Sequence, residues 1–190
     1  MGLWGASDSD ESKPKNLTTA EKKEVFANAS GWVREAGSAL TGNDNTSADP
    51  EILVAIGGLA VSIGAADITE IEFVTTAFDK SEGGNIDMLV RFNEPVDVTG
   101  TPQFLITNNT SSSRNITANY LSGTGTNELT FRKTIAAANA ATNANDVLKV
   151  VANPVSLNSG TIKDAGTNTA STITSAVAIG TAAGTLTVAA

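Results

Sequence analysis

The chain contains no cysteine and no histidine. The first absence excludes disulfides and thiolate nucleophiles. Together they exclude zinc sites of the Cys and His type and imidazole acid–base chemistry. Aromatic residues make up only 5% and charged residues 17% of the 190 positions, which argues against a helical bundle rich in Leu, Glu, Lys and Arg. Twelve basic residues stand against 20 acidic ones, a net charge of −8. They form no basic stripe, so neither nucleic-acid phosphates nor an anionic membrane surface is an expected partner. Long apolar runs are missing too: "ILVAIGGLAVSIGAA" is too short and too rich in glycine to span a bilayer. The first residues lack the basic and apolar regions of a signal peptide. Ala6 stands where a myristoylation motif needs Ser or Thr.

Thr, Ala, Asn, Gly and Ser fill the space these absences leave, a mixture that suits strands joined by many turns. Residues 1–16 read as a polar arm carrying Leu3 and Trp4. Thr18 and Glu21 have capping-box spacing, and Val25, Phe26 and Ala29 give a short apolar edge, so a short helix is expected near 19–28. Strands are expected at Trp32–Arg34 and Glu51–Ile56, separated by the turn-rich loop "TGNDNTSADP". After Ala66 strict alternation takes over. In "IDMLVRF", Ile86, Met88, Val90 and Phe92 share one face; "ELTFRKTI", "ITANYL", "QFLIT", "VLKVVA" and "TLTV" follow as further short strands. The small-residue stretch 136–146 is expected to be a loop or a single helical turn.

Carboxylates are the only groups with catalytic character. Asp79, Glu82 and Asp87 cluster in "DKSEGGNID", where a pair could do acid–base work, although a solvated hairpin loop explains them as well. "TGNDNTSAD" and "TIKDAGTN" offer oxygen ligands for calcium but lack the EF-hand pattern, and turn chemistry accounts for both. "SIGAAD" and "EGGN" lack the Lys and the glycine spacing of a phosphate loop. The Asn-x-Ser/Thr triplets follow from an Asn- and Thr-rich composition. No catalytic, cofactor-binding or metal residue is therefore assigned, and no cofactor is expected. The candidate partner-binding residues are Leu3, Trp4, Pro14, Leu17, Phe26 and Trp32, because apolar anchors offset the ordering of an arm on a partner.

Two stretches carry a resemblance. The first is Phe92, Glu94, Val96, then Val98, Gly100, Pro102, then Tyr120, Ser122, Gly123, Gly125, Thr126, Leu129, Thr130, Phe131. It resembles the bacterial immunoglobulin-like repeats of large cyanobacterial surface proteins and covers roughly the last two thirds of the chain. The second is Leu3-Trp4-Gly5, Lys13-Pro14-Lys15, Leu17, Thr18, Ala20-Glu21-Lys22, Gly31-Trp32-Val33 and 52–59. It is similar to small structural proteins of contractile-tailed marine phages that infect cyanobacteria.

The expected fold is mainly β: an immunoglobulin-like β-sandwich (67–190) preceded by an extended N-terminal arm, one short helix and a small β region (1–66). The second resemblance implies a non-enzymatic virion protein. Its leading form is a decoration or cement protein on the outer surface of the head, attached to the major capsid protein through the N-terminal region. Lattice neighbours or a homo-oligomer and weak host-glycan contact are further expected partners. A neck, tail or fibre position, or a cell-surface adhesion module, is the alternative.

Overall fold

A computed structural model describes residues 14, 16–38, 40 and 44–190. The expected extended arm with Leu3 and Trp4, and residues 41–43 of the polar loop, lie outside the described residues.

Helix α1 (Thr19–Lys23) starts at the expected capping box: the Glu21 N–H donates to Thr18 Oγ1 at 3.3 Å, and the Thr18 N–H donates to Glu21 Oε2 at 2.8 Å. It ends at Lys23, not near residue 28. Val25–Asn28 instead form strand β1, antiparallel to β2 (Gly31–Arg34). The turn between them explains the difference. Asn28 Oδ1 accepts the N–H groups of Ser30 and Gly31 at 2.8 and 3.2 Å. Gly31 has φ +136°, and a Cβ there would lie 2.0 Å from the Val54 carbonyl oxygen. A β-branched and aromatic pair before such a turn favours a hairpin over a further turn of helix. Strand β3 (Glu51–Ala55) pairs with β2 and is the edge of this small sheet opposite β1, which lies against the later strand Gly84–Thr99. Val25, Ala27, Trp32 and Leu59 form its core, with Leu17 and Ile56 packed at the margin.

The remaining strands are β4 (Ile68–Phe73), β5 (Phe78–Asp79), β6 (Gly84–Thr99), β7 (Gln103–Asn108), β8 (Ile116–Ser122), β9 (Thr126–Ile135), β10 (Val147–Lys149), β11 (Val155–Ser156), β12 (Thr161–Asp164) and β13 (Thr185–Ala189). A short helix, α2 (Val177–Ala182), precedes β13. Hydrogen bonding runs β12-β6-β9-β8-β7-β10-β13-β5, with β4 beside β6 and β11 beside β7. The sheet curls over its own core and brings β5 back beside the start of β6, so the architecture is sandwich-like. Ile86, Met88, Val90, Phe92 and Val96 project inward from β6 and meet Phe104, Leu129 and Phe131. Burying each such side chain stabilises by about 1.5–3 kcal/mol. Phe131 packs on Phe104 with centroids 5.7 Å apart and edge-on to Tyr120 at 6.1 Å. Residues 136–146 form turns without a helix, as expected.

Strands β4, β5, β11 and β12 and helix α2 are not anticipated by the patterning. In β4 a bulge between Ile68 and Glu70 breaks the alternation and buries Glu70. Helix α2 has no side-chain N-cap and no charge pattern to announce it. Among the described residues no helix is long and apolar enough to cross a membrane.

Candidate functional site

Strand β6 is continuous over 16 residues, but its pairing is not. Against β9 the register jumps from Arg91↔Glu128 to Val96↔Thr126. Pro95, which has no N–H to give a ladder, lies inside the jump. On the opposite edge, β4 pairs with β6 as far as Phe92 and β12 pairs from Val96 onward. The seam between β4 and β12 therefore falls at residues 93–95. Two groups of carboxylates gather around this irregular segment.

The first surrounds Arg91. Its Nε donates to Glu128 Oε1 at 2.7 Å, and its Nη1 donates to Glu70 Oε2 and Glu72 Oε1, both at 3.0 Å. Glu35, which follows β2, approaches Arg91 Nε at 3.7 Å and accepts a 2.7 Å hydrogen bond from Asn127 Nδ2. Lys23 at the end of α1 pairs with Glu70. Lys23 and Glu35 thus tie the N-terminal sheet to the sandwich, where β1 runs beside β6. Burial works against the charge on Arg91, but Glu128, Glu35, Glu72 and Glu70 more than offset it and raise its pKa. Glu35 is pushed up to about 7, first by burial and then by the Glu128 carboxylate; Asn127 and Arg91 counter only part of this.

The second group contains Glu94 and Asp164. Glu94 is the single charged residue in the inward row of β6 and is 0% exposed. No N–H or O–H of another residue donates to either of its oxygens or to Asp164 Oδ2. Asp164 Oδ1 is occupied: it accepts the N–H groups of Gly166 and Thr167 at 2.7 and 2.8 Å. Burial pushes Glu94 up to about 8, and Asp164, within hydrogen-bonding reach, adds to the rise; Asp67 contributes from further away. Asp67 is fixed to the same segment, since its N–H donates to Asn93 Oδ1 at 2.7 Å and its carbonyl accepts the Asn93 N–H at 3.0 Å. Among the described residues no set of three or more acidic side chains makes a metal cage by itself.

The six anchor candidates are not brought together. Leu3 and Trp4 lie outside the described residues. Trp32 is fully buried in the core of the small sheet and Phe26 is 8% exposed, so neither presents surface to a partner. Trp32 instead packs with Val25, Ala27 and Leu59 in that core. Pro14 is buried and Leu17 packs against the same core. Two of the three carboxylates weighed for acid–base work, Asp79 and Asp87, are engaged by neighbouring side chains or backbone, in keeping with the loop reading. Asp87 makes two hydrogen bonds with Arg132, at 2.7 and 2.6 Å, and Asp79 Oδ1 accepts the N–H and hydroxyl of Ser81, both at 2.7 Å. These Ser81 bonds hold the Asp79 carboxyl below its usual range.

Sequence patterning carried one usable signal for the seam. The row Ile86, Met88, Val90, Phe92, Glu94, Val96 is apolar at every position except Glu94, and a carboxylate on a core face requires a partner. The Arg91 group gave no such signal, because its partners come from distant parts of the chain. No protein-family model, no curated protein and no solved structure matches the chain.

Proposed function

We propose that the chain is a structural virion protein, a decoration or cement protein of a phage head that attaches through its N-terminal region and displays the sandwich outward. One observation carries the attachment reading. The small sheet is braced against the sandwich through Lys23–Glu70 and through Glu35 with Arg91 and Asn127, while its outer strand β3 leaves Ile52 55% exposed. A braced platform with an open strand edge suits docking onto a larger protein. The residues from Leu3 to Lys15 that resemble cyanobacterial phage proteins precede this platform, and Leu3 and Trp4 remain the proposed anchors. Phe26 and Trp32 support the platform from within. The two carboxylates engaged by Arg132 and Ser81 serve the fold, which favours binding over hydrolysis.

The test is cosedimentation of the full chain with purified heads of a contractile-tailed cyanobacterial phage stripped of this protein. Saturable binding near the number of capsid subunits is expected, with loss of binding when residues 1–16 are removed. Full binding by the truncated chain would remove Leu3 and Trp4 as anchors. No binding by the full chain would remove the head assignment.

A further inference from the structure

We propose that Glu94 and Asp164, with Asp67 beside them, bind a calcium ion at the seam between β4 and β12. This proposal is independent of the virion assignment.

The argument begins with an unmet electrostatic need. Two carboxyl groups, Glu94 at 0% and Asp164 at 1% exposure, face each other, and no basic side chain pairs with either among the described residues. Buried carboxylates need a proton or a cation. The oxygens distinguish the two. Three are bare: both of Glu94 and Oδ2 of Asp164. One shared proton engages one oxygen of each group and leaves the second Glu94 oxygen without a partner. A cation held by both Glu94 oxygens and by Asp164 Oδ2 engages all three. Asp67 adds further negative charge on the same side. The donors are carboxylate oxygens, which select a hard cation; calcium accepts bidentate carboxylates and irregular geometry, whereas magnesium demands a near-ideal octahedron.

The surrounding backbone orients the donors. The Gly166 and Thr167 N–H groups hold Asp164 Oδ1, which leaves Oδ2 free for a ligand. The Ala165 N–H donates to the Pro95 carbonyl at 3.0 Å, which fixes the turn after Asp164 to the β6 bulge. The same turn touches the N-terminal region: a Cβ on Gly166 would lie 3.1 Å from the Ala60 oxygen and 3.4 Å from Val61 Cγ1. An ion here would brace that region against the sandwich.

The test uses the full chain, freed of metal at pH 8, in thermal unfolding and titration calorimetry with calcium chloride. With two protein carboxylates, a dissociation constant of about 10⁻⁴–10⁻³ M is expected, in the range of extracellular calcium modules. At roughly ten times that constant, calcium should raise the Tm by about 3–6 °C over sodium chloride of equal ionic strength, and magnesium by less. Glu94→Gln and Asp164→Asn should abolish the rise. Asp67→Asn, at an exposed position that leaves the core intact, should weaken calcium about 3–10-fold through the lost charge. An unchanged Tm in calcium overturns the proposal and leaves the pair with a shared proton only. Equal calcium affinity in the parent and in Asp67→Asn, or an undiminished rise in either core variant, also overturns it.

Discussion

Replacing Glu35 with glutamine should stabilise the protein above neutral pH and leave it unchanged in acid. The carboxyl sits beside Glu128, takes one hydrogen bond from Asn127 and approaches Arg91 only at 3.7 Å. Its pKa lies at about 7 in the fold against an ordinary 4.5. A carboxyl raised in this way takes up its proton more readily when folded, so the stability it contributes is complete below pH 4.5 and is lost as pH rises through about 7. The gap between 4.5 and about 7 sets a ceiling of about 3 kcal/mol. Partial exposure of the Glu35 side chain and local relaxation reduce the expected gain to about 1–2 kcal/mol, or about 2–8 °C in Tm for a chain of this size. Glutamine keeps the acceptor for Asn127. Differential scanning calorimetry of parent and variant from pH 4 to 8.5 reads the effect directly. A Tm difference that stays flat with pH, or a variant less stable than the parent at pH 8, would mean that the Glu35 charge does not destabilise the fold.

Other consequences can be measured alongside. Trp32→Ala empties the centre of a core made by few side chains; it should cost about 3–5 kcal/mol and expose the small sheet to proteolysis before the sandwich. Asp146, buried and held by two hydrogen bonds from Arg114 at 2.8 and 2.6 Å, has its carboxyl lowered to about 2. Its stabilisation is present above pH 3.8 and lost as pH falls through about 2, so Asp146→Asn should destabilise by about 1–3 kcal/mol at pH 7 and by much less near pH 2, as read by urea unfolding. Gly123→Ala would place a Cβ 1.9 Å from the Glu128 oxygen at φ +117°, and should disrupt the β8–β9 hairpin, visible as a lower midpoint in the same urea titration.

The parts of this fold that depend on local periodicity were readable in advance. The run Ile86, Met88, Val90, Phe92 marked β6, shorter alternating runs marked β8 and β9, and the Thr18–Glu21 capping box marked the start of α1. The end of α1 was not readable, because it is set by the Asn28 side chain and by the close approach of Gly31 to Val54, a contact across the small sheet. A large ring such as Trp32 fits a partner anchor or a core equally well in sequence, and only the assembled three-stranded sheet shows the core it fills. Asp164 was legible as a turn residue through its Oδ1 bonds, whereas its second oxygen acquires meaning only when β12 is laid beside β6 and Glu94. Arg91 lay beyond sequence reasoning for the same cause: its carboxylates sit at positions 35, 70, 72 and 128, and only folding brings them together.

Attachment to a phage head through the N-terminal region is tested most directly by a reconstruction of the intact particle to side-chain detail. Density for the chain is expected on the outer face of the head, with Leu3 and Trp4 seated against the capsid protein, β3 toward the shell and the sandwich outward. Density for the chain only in the neck or tail, or purified virions that lack it, would remove the head assignment.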